Sequence, residues 1–238
     1  MTQSSATSAS SVVKSVLAHP ATKAIVFALC LLPAAQIAWN TYLVVTGTGG
    51  LTDLGANPIT KIEILTGLWT MRFLAITLAV TPVRETFGLG ALAKYRRMFG
   101  LFTFFYACVH VSTWVGVDWF FDWRSMGDEI VKHKYILVGM ATFLTLVPLA
   151  ITSTNGWVRR LGGKRWAKLH RLVYVAALGG TVHYLWAVKK DTFFPLVYLA
   201  LFTLLLGYRA FHALRDRRAR ARARGGVGVD AARGTAAR

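Results

Sequence analysis

Six apolar runs, each near the length needed to cross a bilayer, divide this chain and limit what it can fold into. The first is AIVFALCLLPAAQIAWNTYLVV; the others lie at about 64–82, 98–117, 135–151, 167–187 and 193–211, the fourth being the shortest. A hydrocarbon layer of ~30 Å requires ~20 helical residues. Within lipid every backbone N–H and C=O must be satisfied inside its own segment, which selects helices. The expected fold is therefore an all-α membrane protein, a six-transmembrane-helix bundle. The first run is long for the apolar core of a signal peptide and lacks a clean small-x-small cleavage site, so it is expected to stay as a span. Residues 1–19, rich in Ser, Ala and Thr, are expected to be disordered, 20–212 to form the membrane domain, and 213–238 a basic cytoplasmic tail.

Charge sets the orientation. The connection VRETFGLGALAKYRR carries Arg84, Lys94, Arg96 and Arg97 against the single acid Glu85. STNGWVRRLGGKRWAK carries Arg159, Arg160, Lys164, Arg165 and Lys168 with no acid. The other three connections hold seven of the ten acids, among them Asp118, Asp122, Asp128 and Glu129. By the positive-inside rule both termini are expected in the cytoplasm and the acidic connections on the outer side. The net charge of +18 is thus topology rather than a nucleic-acid footprint, because it sits in short loops and in the tail RDRRARARARGG. Cys30 and Cys108 both fall in apolar runs, and no C-x-x-C or C-x-x-C-H occurs. This excludes a cysteine zinc site and a covalently attached haem.

Six histidines remain to be placed. His19, His133 and His212 lie in polar segments and are expected to be solvated. His110, His170 and His183 lie in the apolar runs, where an imidazole is costly unless paired. On the expected topology the third and fifth spans run in the same direction. That brings His110 and His183 within roughly 6 Å of the same depth, nearer the outer face. His170 precedes His183 by 13 residues, so it lies ~20 Å deeper toward the cytoplasm. Axial imidazoles for b-type haem fit this pattern. Interhelical hydrogen bonding would use the same residues, as would a proton relay, though the spans lack the buried carboxylate chain of a pump. The intervening residues turn an ideal helix by about 220°, so the two rings share a face only if Gly179 and Gly180 host a kink. Otherwise the two centres are approached from different sides.

The segments RRMFGLFTFFYACVH, PLAITS, WAKLHRLVY and HYLW, with LAVTPVR after the second span, carry a resemblance. Over residues 20–212 the chain resembles the MsrQ (YedZ) family, the haem-binding membrane subunits of the periplasmic protein-methionine-sulfoxide reductase system. That family belongs with the ferric-reductase-like transmembrane domains, which also include the NADPH oxidases. The resemblance implies haem b, with FMN also ascribed to the family. It implies electrons drawn from the quinone pool or a cytosolic flavin reductase, and passed to the molybdenum-containing periplasmic partner MsrP for repair of oxidised proteins. His110, His170 and His183 match the family's three motif histidines.

Ferric reductases and NADPH oxidases carry a second histidine in the third span; here Arg96 and Arg97 stand at that distance before His110. The resemblance therefore implies one haem between His110 and His183. A second haem at His170 would be five-coordinate or need another ligand. Arg96, Arg97 and Arg171 are candidates to pair with haem propionates or a flavin phosphate, or are topology signals alone. Some 26 residues follow His212, too few for the nucleotide-binding region of fused oxidases, so a separate electron donor is expected. No catalytic residue is expected on this chain. Asp118, Asp122, Asp128 and Glu129 are candidates for docking the partner. The rival readings are a stand-alone membrane haem reductase of metals or dioxygen, and a non-redox histidine-lined transporter.

Overall fold

The computed structural model of the chain describes residues 13–48, 54–188 and 191–235, and among these it is helical with no strand. The helices are α1 (Pro20–Thr46), α2 (Pro58–Phe87), α3 (Ala93–Thr113), α4 (Trp123–Lys132), α5 (Lys134–Ile151), α6 (Asn155–Leu161), α7 (Gly163–Leu169), α8 (Leu172–Ala187) and α9 (Phe193–Thr235). A 3-10 turn, Gly90–Leu92, leads into α3, and a π-helical turn, Trp114–Asp118, leaves it. The helix starts have local causes. His19 Nδ1 accepts from the Ala21 N–H, Asn57 Oδ1 from Thr60 and Asp122 Oδ1 from Ser125, each satisfying an amide the helix leaves free. Pro20 and Pro58 follow two of these caps, where a missing N–H costs nothing.

Among the described residues, five helical segments are long and apolar enough to cross a membrane by length and composition: Pro20–Thr46, Pro58–Phe87, Gly90–Asp118, Lys134–Ile151 and Phe193–Asp216. The fifth expected run is the exception. It is split by a turn at His170–Arg171, which leaves α8 with 16 residues. At 1.5 Å per residue that is about 24 Å, short of a ~30 Å core. The break has a side-chain cause. The indole of Trp166 donates to the Thr152 carbonyl at 2.9 Å, and His170 Nε2 meets the Thr152 hydroxyl at 3.1 Å. Both tie α7 to the end of α5. Gly179 and Gly180, by contrast, lie inside unbroken helix. They let α8 approach Thr142 of α5 and Met71 of α2 instead of kinking.

The segment expected to be disordered is helical at residues 13–18, and Tyr95 and Lys94 donate to the carbonyls of Leu17 and Ala18 at 2.9 Å each. Residues 1–12 of that expectation lie outside the described residues.

The most extensive contacts are α2 with α3 and α5 with α8. Phe73, Tyr95, Met98, Phe102 and Tyr106 pack with Cys30 of α1. Met71, Leu74 and Leu78 meet Ala177 and Phe202, and Ala107 meets Leu146, Leu149 and Ala176. Outward-facing apolar side chains such as Leu29, Leu32, Ile76, Leu144, Val175 and Leu204 are exposed, as lipid-facing positions should be.

Three prolines lie inside these helices, Pro33, Pro82 and Pro148, and side chains from elsewhere serve the backbone beside the first two. Next to Pro33 the fully buried Tyr106 hydroxyl donates to the Cys30 carbonyl at 2.8 Å and accepts the Ala34 N–H at 3.1 Å. Pro82 has no N–H, so the Leu78 carbonyl one turn earlier loses its helical partner. Arg209 of α9 supplies one: Nη2 donates to Leu78 at 2.9 Å and to Thr81 Oγ1 at 3.1 Å, while Nη1 donates to the Tyr174 hydroxyl at 3.1 Å. Arg209→Met should therefore cost about 2 kcal/mol of stability by orphaning that carbonyl. Thermal unfolding in detergent checks this, with Arg209→Lys recovering part of the loss.

Candidate functional site

Among the described residues, one cavity between the helices lies toward the acidic connections and another toward the basic ones. The acidic-end cavity has a volume of about 440 Å³ and is walled by α2, α3, α5 and α8. His110 of α3 and His183 of α8 both line it, their ring centres 6.2 Å apart and their planes at 77°. The depth-matched pair expected from the sequence is thus brought together.

Each ring is held the same way. His110 Nδ1 lies 2.9 Å from the Glu63 carbonyl, and His183 Nδ1 lies 2.7 Å from the Tyr135 carbonyl. A carbonyl only accepts, so each Nδ1 carries the proton and each neutral ring keeps its lone pair on Nε2. Four residues beyond each carbonyl stands a glycine. A Cβ at Gly67 would lie 3.4 Å from the His110 ring, and one at Gly139 would lie 2.5 Å from His183 Nδ1. The glycine on α2 lets one imidazole rest on the helix backbone, and the glycine on α5 does the same for the other.

Two imidazoles facing one cavity can donate to a single metal ion. Two imidazoles bound to one metal through bonds of about 2 Å have ring centres about 6 Å apart, as here. The walls are mostly apolar, with Met71, Ala107, Ile136, Phe143 and Leu146 among them. A ligand histidine typically donates its other ring N–H to a carbonyl, which fixes the tautomer. The residues present therefore fit a haem.

The third spanning histidine goes elsewhere. His170 lines the basic-end cavity, about 540 Å³, with Arg84, Arg96, Arg97, Arg171 and Arg209. Its ring stacks on Trp166 at 3.9 Å. The Thr152 hydroxyl donates to the Pro148 carbonyl at 2.6 Å, so it accepts from His170 Nε2. No second imidazole lines this cavity among the described residues. Leu146 borders both cavities.

The remaining histidines are peripheral. His19 is a helix cap, His133 pairs with Glu129 at 2.9 Å, and His212 packs on Tyr208. Of the four acids expected at the outer side, Asp118 and Glu129 border the acidic-end cavity, while Asp122 and Asp128 are exposed. Hydrogen bonds from Ser125 hold the Asp122 carboxyl below the usual carboxylate range. Sequence reasoning missed Gly67, Gly139, Thr152, Arg84 and Arg209. For the glycines a signal existed, since a small residue within a span marks close approach. A carbonyl acceptor leaves none.

The matched family is "Ferric reductase like transmembrane component", over residues 66–181. The relative "Protein-methionine-sulfoxide reductase heme-binding subunit MsrQ" of Rhodospirillum rubrum is 49% identical over 193 residues, covering 81% of this chain and 89% of the relative. The protein of the same description from Xanthomonas euvesicatoria pv. vesicatoria is 44% identical over 202 residues, covering 85% of this chain and 91% of its own length. That of Xanthomonas campestris pv. campestris strain B100 is 45% identical over 202 residues.

Proposed function

The chain belongs to the MsrQ family of heme-binding subunits, and from that premise we propose that it is a haem b electron conduit serving a periplasmic methionine sulfoxide reductase. It is a multi-pass bacterial membrane protein with a ferric-reductase-like transmembrane domain. In this reading it crosses the inner membrane six times, with α7 and α8 together as the fifth passage, both termini in the cytoplasm, and residues 20–212 as the haem-binding domain. Electrons come from the quinone pool or a cytosolic flavin reductase. They leave on the acidic side, to the molybdenum-containing partner MsrP.

One observation carries the proposal: two imidazoles share a cavity with both Nδ1–H groups committed to backbone carbonyls. That leaves two Nε2 lone pairs and no other task for them. A haem bound there supplies one-electron redox chemistry. The chain's own residues do the rest. His110 and His183 would hold the haem iron through Nε2, Glu63 and Tyr135 orient the two rings through their carbonyls, and the mostly apolar walls would limit water around the group. The proposal is for one haem, because His170 Nε2 is engaged by Thr152 and no second imidazole lines its cavity among the described residues.

The reduced-minus-oxidised absorption spectrum of purified protein tests this, with haem counted per chain. A b-type spectrum at one haem per chain is expected. In vesicles with a quinol donor, the protein should then support methionine sulfoxide reduction by the partner added outside. Protein that stays colourless after haem-replete expression would overturn the reading.

A further inference from the structure

We propose that the turn between α3 and α4, residues 119–123, is a docking knob for the periplasmic redox partner, a soluble protein whose contact face is apolar at its centre and basic at its rim. The inference rests on the reading above that such a partner takes electrons at the acidic end. The π-helical turn Trp114–Asp118 runs into the stretch Trp-Phe-Phe-Asp-Trp, and α4 begins at Trp123. Phe120 and Phe121 both hold left-handed backbone, at φ 45° and 62°, and no other non-glycine residue does so among the described residues. A bulky side chain there is strained, and such strain persists only where the surroundings impose it. Main-chain bonds impose it here. The Phe121 N–H donates to the Val115 carbonyl at 3.0 Å, and the Asp122 N–H donates to that of Trp119 at 2.9 Å.

The strained turn builds no core in return. Phe120 is 79% exposed, Phe121 58% and Trp123 68%. Phe121 leans on Gly116 and on Trp123, whereas Phe120 makes no aromatic contact among the described residues. Glycine would hold this backbone with less strain, so the Phe120 ring has its use outside the chain. Exposed aromatics side by side form either a membrane-interface anchor or the centre of a protein interface. The charges favour the second. Between Trp114 and Glu129 the chain has four acids and one base, Arg124. Asp118 and Asp122 are exposed on either side of the Trp119–Phe121 run. A carboxylate follows such rings into lipid only at heavy cost. An apolar centre with a charged rim is, by contrast, how soluble proteins dock, and complementary charge steers them together. Position agrees with this. Asp118 and Trp119 also line the cavity of His110 and His183, where the Trp119 ring lies 6.3 Å from that of Trp114. A partner seated on the knob therefore stands against a wall of that cavity.

The test uses the full-length protein, carrying its haem, in nanodiscs, together with purified MsrP. Affinity is read by biolayer interferometry and stability by thermal unfolding. Phe120→Gly should weaken binding about tenfold or more, as loss of an interface anchor does. It should nevertheless unfold at the same or a higher temperature and keep its haem. Phe120→Asn also tolerates left-handed backbone; it should behave alike, and it serves if glycine loosens the turn. Asp122→Asn keeps the helix cap and should slow association while flattening its dependence on salt. Trp39→Ala removes an exposed ring of α1 that has no acid beside it, and should bind as wild type does. A nitroxide attached at Phe120→Cys, in a Cys30→Ala/Cys108→Ala background, should be open to a water-soluble relaxation agent and become shielded when MsrP is added. A label already shielded from water and open to oxygen lies in lipid, and that result overturns the proposal. Equal affinity of wild type, Phe120→Gly and Phe120→Asn overturns it too, and leaves the electron-conduit reading standing. If wild type carrying its haem does not bind MsrP at all, the partner is removed from that reading and the knob falls with it.

Discussion

Alanine at His110 or at His183 should each abolish the b-type spectrum, taking haem from one per chain to below about a tenth. Loss of an outer partner of a ligand histidine already costs about ten- to a hundredfold in affinity, and loss of the ligand itself costs more. His170→Ala is the counterpart. Its ring sits in the other cavity, stacked on Trp166 and bonded to Thr152, so the spectrum should survive. The measurement is haem per chain on purified proteins that elute as folded species. Haem retained in His183→Ala, or lost in His170→Ala, would mean that the two-imidazole cavity is not the site.

Gly139→Ala should damage the same property without touching a ligand. The added methyl would stand 2.5 Å from Nδ1 and 2.7 Å from Cε1 of His183, closer than any stable contact. The ring must turn away, and its hydrogen bond to the Tyr135 carbonyl goes with it. Haem affinity should fall about tenfold or more, the range for losing an outer partner. Gly67→Ala offers the comparison, because there the methyl meets the His110 ring at 3.4 Å and a small adjustment suffices. Helix propensity favours alanine over glycine by about 1 kcal/mol at either position. A haem deficit confined to Gly139→Ala is therefore not a folding defect. Equal haem content in the two variants would show that the cradle on α5 is looser than the contact implies.

Much of this was legible beforehand, and the exceptions share a cause. The long helices follow from run length and backbone satisfaction, both of which are local properties. The depth match of His110 with His183 follows from span direction and rise per residue together. The break at His170 does not, because no proline or glycine marks it. It comes from Trp166 and His170 reaching back to Thr152 across the α5–α7 connection. Gly179 and Gly180 looked like a hinge, yet they serve close packing, a choice that only the neighbouring helices decide. Arg209 reads as one more basic residue near the tail, and its bond to the carbonyl freed by Pro82 spans 131 positions. The acceptors of the two histidines are main-chain groups, which every residue possesses, so no pattern could single out Glu63 and Tyr135.

The matched mounts beneath the two imidazoles bear on speed. Each ring is clamped at Nδ1 by a helix carbonyl and rests on helix backbone at a glycine, so neither depends on a loop or a long side chain for its orientation. Were a haem held between the rings, a change of one unit in its charge would require little movement around it, because the dipoles that face it are already fixed. On the proposed reading such a centre would exchange electrons in either direction with a low barrier, and the direction of flow would be left to the donor and acceptor it meets.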